Sequence, residues 1–380
     1  MPTYWLSMHV RYTCRHSGAC CSSGWAIPVE QDKLTRIATL RSTDEWLRTV
    51  TGAPADVAGV LTLGTDGHCV FHRSGPSSSR CEIHRALGPT ALPAACQHFP
   101  RQCLIDRRGV FVTLSHYCPT AAALLFEHSG PVEIVEGPPA NVHSDAEGLD
   151  ARDVLPPLLT EGVLMDLDAY SAWEAHAVRR LAGQASLAAE VSPEAVLDGL
   201  AADAKELMKW RPGDLALRDA IRALDRTSVR RDAATEPDWK TEMQLVALVH
   251  DAIAEDQRPG ALPRPARELF TLERARDWRA HAVIINRFLA AHAFASWAAY
   301  QGRGLDAMIR GLRKALAVLR SEVLRALERS PGTLSDATLK EAIRQSDLLL
   351  VHLADRHSQE GQEDRDVGKF TGRSERSGRD

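Results

Sequence analysis

Apolar residues recur at every third or fourth position over much of the C-terminal two thirds of the chain. The clearest run extends from Leu305 to Leu327, with Arg310 and Arg313 on other faces of the same run. This spacing predicts an amphipathic helix that buries one face. The preceding stretch, from His281 to Tyr300, is apolar nearly all round and predicts a helix buried between neighbours.

The helical pattern starts near Leu158. Ser192, Pro193 and Glu194 form a typical helix start, with a capping hydroxyl, a proline in the first turn and an acid after it. The segment Gln257–Pro265 carries three Pro and a Gly and interrupts two helical blocks. We therefore expect a mainly α-helical domain over residues 158–356.

The N-terminal part carries shorter patterns. Tyr4 to Tyr12 predicts an extended segment, and Glu30 to Val50 predicts one or two short helices. Two β-prone runs, Gln102–Ile105 and Val110–Leu114, flank a four-residue turn that ends in Gly109, which predicts a β-hairpin.

Two further segments have no periodic pattern. Residues 126–157 are rich in Pro and Gly and predict a connection between domains, with a short strand near Val132–Val135. Residues 357–380 are polar and charged, which predicts a disordered tail. The expected fold class is α+β: a small cysteine-rich, metal-binding domain with a β-hairpin at residues 1–125, followed by the helical domain.

Composition and charge exclude several classes of protein. The chain has 380 residues, is 25% charged and carries a formal net charge of −4, a balance that argues against a nucleic-acid binder. The most apolar window, His281–Tyr300, includes Asn286 and Arg287, so we expect no membrane span. The first residues lack the pattern of a secretory signal, and we expect a cytoplasmic protein.

The cysteines are unevenly distributed, because all eight lie between residues 14 and 118. They are Cys14, Cys20, Cys21, Cys69, Cys81, Cys96, Cys103 and Cys118. Buried apolar thiols and disulfides are two alternative interpretations of this cluster. The dense grouping disfavours the first, and the absence of an export signal disfavours the second, so metal ligation is the favoured interpretation.

Ligand number and charge limit the kind of metal site. A tetrahedral site takes four thiolates, so the count suits either two mononuclear zinc or iron sites or one iron–sulfur cluster with spare thiols. Six nearby histidines could substitute for a thiolate: His16, His68, His72, His84, His98 and His116. His98 and His116 lie two residues from a cysteine and are the best of these candidates.

Several short motifs occur in an order known from one family. They are Tyr12-Thr-Cys14, Cys20-Cys21-Ser-Ser-Gly24-Trp25, His68-Cys69-Val70-Phe71, Cys81-Glu82-Ile83-His84, Cys96-Gln-His-Phe99-Pro100-Arg101 and Ser115-His-Tyr-Cys118-Pro119. This series resembles the YkgJ-type cysteine-cluster family of zinc- or iron-chelating domains, in the branch that includes flagellin lysine N-methylases. Cys103 has no counterpart in the pattern, and we interpret it as a core thiol of the hairpin.

The resemblance covers residues 12–120 and implies a metal-ligand pool. That pool is Cys14, Cys20, Cys21, Cys69, Cys81, Cys96 and Cys118. It further implies methylation of protein lysine side chains, with S-adenosylmethionine as cofactor and a surface protein such as flagellin as substrate. A non-catalytic, metal-stabilised adaptor whose helical domain binds a protein partner is the alternative.

Motifs that would support an enzyme independently are absent from the sequence. There is no glycine-rich fingerprint for S-adenosylmethionine on a Rossmann-like sheet and no C-x3-C-x2-C spacing of radical enzymes. Transfer of a methyl group to lysine requires removal of the ammonium proton, and Tyr117, next to Cys118, is the one weak candidate for that role. No other catalytic or cofactor-binding residue is predicted.

Overall fold

A computed structural model describes residues 1–73, 81–140, 148–182, 191–227, 239–253, 277–300, 304–330 and 332–354. The protein is of mixed α/β class, with about 52% helix and small sheets. This confirms the expected mixture of helices and strands. The predicted tail at 357–380 and the predicted helix interruption at Gln257–Pro265 lie outside the described residues.

A five-stranded sheet forms the centre of the N-terminal half. Its strands in chain order are β1 (Thr3–Leu6), β5 (Arg101–Asp106), β6 (Gly109–Leu114), β7 (Ile134–Glu136) and β8 (Gly148–Asp150), and their order across the sheet is β7-β1-β6-β5-β8. β1 runs parallel to β6, and β8 runs parallel to β5. The expected hairpin is confirmed as β5–β6, but its turn is tighter than predicted because Asp106 already pairs with Gly109.

Alternation along these strands separates two apolar environments, since successive side chains of a strand point to opposite faces. Leu6, Leu104 and Phe111 join the main core that the helices build. Their neighbours Trp5, Cys103 and Val112 join a smaller core that also contains Cys118. One face of the sheet therefore packs on the helices and the other on the cysteine-rich segments.

Two smaller sheets complete the strands. One has the order β2-β4-β3, and the other is the pair β9–β10. Their bounds are β2 (Pro28–Glu30), β3 (Leu47–Arg48), β4 (Val57–Leu61), β9 (Leu158–Thr160) and β10 (Val163–Leu164). The stretch Glu30–Val50 was predicted to hold one or two short helices. One short α-helix forms at Gln31–Ile37, and the stretch ends in strand β3.

The α-helices of the N-terminal half are short, whereas those of the C-terminal half are long. The short ones are α1 (Gln31–Ile37), α2 (Glu82–Leu87), α3 (Ala94–His98) and α4 (Pro119–Glu127). The others are α5 (Leu167–Ala182), α6 (Pro193–Leu207), α7 (Leu217–Thr227), α8 (Trp239–Asp251), α9 (Ala282–Ala293), α10 (Gly304–Arg329) and α11 (Asp336–Asp347). A π-helical segment, Leu348–Leu353, directly follows α11.

Two sequence signals of the helical half are confirmed, but the predicted helical start near Leu158 is wrong, because β9 and β10 form there and the first helix begins at Leu167. Helix α6 begins as predicted, because the Ser192 hydroxyl accepts a hydrogen bond from the Ala195 amide at 3.3 Å. In α10 the predicted apolar face is buried, including Leu305, Leu312 and Leu319. The segment Ala282–Tyr300 is apolar and long enough to pass as a membrane span by composition, and 67% of its most apolar window is buried inside the fold.

Candidate metal centre

Five of the eight thiols meet within one small core. Cys20 and Cys21 lie on a 3-10 turn, Ala19–Cys21, and Cys81 and Cys96 lie at the start of α2 and within α3. Cys69 follows β4, and its backbone forms an isolated antiparallel β-bridge with Leu63. These five residues belong to the core around Trp25, Ile27, Trp46 and Phe71, and we call them the thiol cluster.

Local backbone geometry brings these segments together. Gly18 and Gly24 flank the 3-10 turn with φ angles of 78° and 79°, which are left-handed conformations that glycine adopts without strain. The Cys69 amide donates to the Cys21 carbonyl at 2.8 Å, and the Glu82 amide donates to the Phe71 carbonyl at 2.9 Å. Backbone hydrogen bonds therefore fix three of the cysteine-bearing segments side by side.

The thiols of the cluster contact one another directly. Cys21 is within hydrogen-bonding contact of Cys20, Cys69 and Cys81, and these contacts together with burial raise its pKa far above the usual range. Cys96 lies close enough to Cys20, Cys69 and Cys81 to interact with them electrostatically, and burial is the main cause of its raised pKa. Sulfur atoms from three chain segments thus meet at Cys21, and Cys96 brings a fourth segment close to them.

Two members of the cluster are easier to deprotonate than an ordinary thiol. A hydrogen bond from Cys21 lowers the pKa of Cys69, and the same effect lowers the pKa of Cys81 to about 7. The amides of Ile83 and His84 in the first turn of α2 also stabilise the Cys81 thiolate. Thiolate, the form that binds metals, is therefore accessible near neutral pH.

Cys14 and Cys118 form a separate group, which we call the outer thiol pair. The Tyr12 hydroxyl lies 3.7 Å from the Cys118 sulfur and also hydrogen-bonds with the Cys14 sulfur. Burial and the two neighbouring thiols raise the pKa of Tyr12 well above the usual range. Cys14 is exposed and Cys118 is buried at the start of α4, so the pair extends from the surface into the protein.

Three residues around Cys118 are held by the C-terminal helix. The Ser115 hydroxyl is 2.7 Å from His352 Nε2, the His116 amide donates to the Asp347 carboxylate, and Arg344 Nε donates to the Tyr117 carbonyl at 3.0 Å. These contacts join the last predicted cysteine motif to residues more than 200 positions away.

One cavity of about 420 Å³ is lined by members of both the thiol cluster and the outer thiol pair. Six of the seven predicted ligands lie on its wall: Cys14, Cys20, Cys21, Cys81, Cys96 and Cys118. Trp5, Tyr12, Phe99 and Arg101 line it as well. Among the described residues that form this wall, none is Asp or Glu, so thiolates would supply the negative charge of the site.

The described ranges contain no group of three or more His, Cys, Asp or Glu residues arranged to hold a metal ion. The metal-binding character expected of the N-terminal region is therefore not shown, and the cofactors remain predictions. The donor chemistry nevertheless suits zinc, iron or an iron–sulfur cluster, which all take soft thiolate ligands. Binding would replace S–H contacts within the thiol cluster by metal–sulfur bonds.

The remaining sequence candidates lie in different surroundings. Cys103 is buried on β5, outside the thiol cluster. His98 lines the cavity, whereas His116 is engaged by Asp347 and lies 3.2 Å from His9, nitrogen to nitrogen. Tyr117 donates its hydroxyl to the Ser22 carbonyl at 3.2 Å, and burial raises its pKa.

Sequence reasoning missed two residues of this site. Tyr12 and Arg101 both line the cavity, and the Arg101 guanidinium lies 5.4 Å above the Tyr12 ring. Each belongs to a quoted motif, but its position next to the outer thiol pair depends on the parallel pairing of β1 with β6, which no local signal reveals.

Comparisons with family models, with characterised proteins and with solved structures give no match. The resemblance to the YkgJ-type family therefore stays a hypothesis that depends on the cysteine motifs.

Proposed function

We propose that the protein binds zinc, iron or an iron–sulfur cluster through the thiol cluster. The observation that carries the proposal is the convergence of Cys20, Cys69 and Cys81 on Cys21, from three separate chain segments. Isolated buried thiols would be distributed through the core, but the main helical core contains no cysteine among its described residues. A concentration of deprotonatable sulfur is the arrangement that soft metal ions require.

Two of the seven predicted ligands have a different setting from the other five. The outer thiol pair shares the Tyr12 hydroxyl and lines the same cavity, and Cys14 is close enough to Cys20 to interact with it electrostatically. We therefore assign the permanent ligands to the thiol cluster. Cys14 and Cys118 would then complete a larger centre, such as an iron–sulfur cluster, or hold a second ion.

The experiment is metal and inorganic-sulfide analysis, with a visible spectrum, of protein purified without oxygen. Cys20→Ser and Cys96→Ser remove single members of the thiol cluster, and Cys103→Ser is the matched control in the same half of the protein. We expect metal content to fall sharply in the first two variants and to stay at the wild-type level in the control. Equal metal content in all four proteins would contradict the proposal.

Lysine methylation is the second candidate, and one observation favours it. The 420 Å³ cavity beside the thiol cluster lies within the range of roughly 300–1,000 Å³ that small-molecule sites occupy. Its wall combines aromatic rings with one cationic side chain, Arg101, which would suit a nucleoside that carries a carboxylate. S-adenosylmethionine contains an adenosine and a carboxylate, and it would supply the methyl group.

Equilibrium binding of S-adenosylmethionine to the metal-loaded protein tests this candidate. We expect binding that weakens in an Arg101→Gln variant and disappears when the metal is removed. A loaded protein that binds no S-adenosylmethionine would rule out the methylase and leave the metal-binding proposal intact.

A further inference from the structure

A second cavity lies on the opposite side of the five-stranded sheet from the thiol cluster. It has a volume of about 200 Å³ and is bounded by β5, β6, α9, α10 and the end of α11. Its polar wall residues are Gln102, Thr113, His116, His292, Ser296, Lys314 and Asp347. This volume is below that of drug-sized ligand sites, so the cavity suits a small molecule.

Among the described residues of this wall, the one carboxylate is that of Asp347, and it is already engaged. Asp347 accepts hydrogen bonds from the His116 amide, from His116 Nδ1 at 3.0 Å and from His292 Nε2 at 2.8 Å. Three donors therefore engage both oxygens of a carboxylate whose exposed fraction is 1%. The two histidines also hold the pKa of Asp347 well below its usual range against the opposing effect of burial.

The orientation of His292 follows from that contact. Because Nε2 donates to Asp347, Nδ1 is the nitrogen left for a ligand, and the Phe288 ring packs against the imidazole at 4.5 Å between centroids. Within the described part of the chain, Nδ1 has no hydrogen-bond partner. The imidazole is fixed on one side and open on the other.

Lys314 supplies the second basic group. It lies on α10, is partly buried and lines the same cavity. In the described ranges its ammonium group has neither an ion pair nor a hydrogen bond, unlike the neighbouring Arg313, which pairs with Asp198 at 2.9 Å. Within the described residues, two basic nitrogens without a partner thus line a cavity whose carboxylate already accepts from two histidines.

We infer that this cavity binds a small oxyanion, a carboxylate or a phosphate, between Lys314 and a His292 imidazole held by Asp347. In this site the His292 imidazole would carry a proton on both nitrogens, with Nε2–H donating to Asp347. A ligand oxygen would then accept one hydrogen bond from Nδ1–H and a second one from the Lys314 ammonium. Charge-assisted hydrogen bonds of this kind are among the stronger polar contacts in proteins. The site is independent of the proposed metal function, since no cysteine lines it.

Isothermal titration calorimetry at constant ionic strength tests the inference, with inorganic phosphate and acetate as probes and chloride as the reference anion. We expect saturable binding of phosphate or acetate, and the stronger of the two identifies the class of oxyanion. His292→Gln and Lys314→Gln should each weaken it roughly tenfold or more, as expected for loss of one hydrogen bond to a charged group.

His281→Gln is the matched control. His281 precedes α9, whose other end carries His292, and its Nε2 also contacts a carboxylate, Asp336, at 3.2 Å, but it lies outside the cavity. This variant should bind the probes as the wild type does. Lys314 makes no hydrogen bond to the residues that the structure describes, so Lys314→Gln keeps the test decisive if His292→Gln fails to fold. Probe binding no stronger than that of chloride, or binding unchanged in Lys314→Gln, would overturn the inference.

Discussion

The cysteine-rich region and the helical region bury their interiors with different chemistry. The core around Trp25 and Trp46 is small and includes the five residues of the thiol cluster. The main core consists of aliphatic and aromatic side chains from the helices and from one face of the five-stranded sheet. Stability of the first region should therefore depend on the chemical state of sulfur, whereas stability of the second depends on buried apolar area.

The largest difference between the two regions should follow metal removal. Structural thiolate sites contribute apparent free energies of about 10–16 kcal/mol, so a chelator should unfold the segments around Cys21, Cys69 and Cys81. Helix α10 should keep its protection because its buried face, including Leu319, contacts no thiol of the cluster. Hydrogen exchange measured with and without chelator, segment by segment, checks this. Equal protection of the cysteine segments in both samples would contradict it.

A core substitution in the helical region should produce the opposite pattern. Leu319 is fully buried on α10, and Leu319→Ala should lower the free energy of unfolding by about 2–5 kcal/mol through lost contacts and a cavity. Metal content should not change. Leu248 on α8 is 64% exposed, and Leu248→Ala is the control, expected within about 0.5 kcal/mol of wild type. Urea titrations measure both values.

The stability of the protein should depend on pH through His9, which contacts His116 next to Asp347 of α11. His9 is fully buried, and burial together with the neighbouring His116 holds its pKa well below the usual 6.5. The free energy of unfolding therefore keeps its full value well above pH 6.5 and decreases as the pH falls below it. The reason is that the unfolded chain then takes up a proton at His9 that the folded chain does not. At pH 5.5 this single group should lower the free energy of unfolding by at most about 1.4 kcal/mol relative to pH 7.5.

Urea titrations at these two pH values, on wild type and His9→Gln, isolate the effect. The variant should show a smaller loss of unfolding free energy between pH 7.5 and 5.5 than the wild type. Asp347, whose pKa is lowered, would contribute a loss only as the pH falls through the range of free aspartate, near 3.8, and does not interfere. An unchanged pH dependence in His9→Gln would show that His9 is not the responsible group.

The smallest expected effect concerns a helix cap. Removing the Ser192 hydroxyl in Ser192→Ala leaves the Ala195 amide without its acceptor at the start of α6. The expected loss is about 1 kcal/mol, without any change in metal content. Ser192→Asp, which restores an acceptor, should recover most of the stability. A loss in Ser192→Asp as large as in Ser192→Ala would mean that the cap is not the cause.

Local signals made part of the fold predictable. The cap at Ser192, the buried face of α10 and the β5–β6 hairpin depend on residues close in sequence, and each was predicted from its pattern. Strand β8 was not predicted, because its parallel partner β5 lies more than 40 residues away. Pairing over such distances depends on packing of the whole sheet, which leaves no periodic trace in a three-residue strand.

The candidate site was predictable in composition but not in arrangement. The motifs predicted a pool of seven cysteines, yet only the folded chain separates the thiol cluster from the outer pair Cys14 and Cys118. Likewise, nothing near His116 in the sequence indicates Asp347, which lies 231 residues further along the chain. Contacts of this kind are decided by how α11 packs on the sheet.

X-ray absorption at the edge of the bound metal, on protein purified without oxygen, tests the central claim most directly. We expect a zinc or iron edge with a first shell of sulfur at about 2.3 Å, lost in Cys20→Ser and Cys96→Ser but retained in Cys103→Ser. A first shell of nitrogen and oxygen alone, or a protein that purifies without metal in stoichiometric amount, would contradict it.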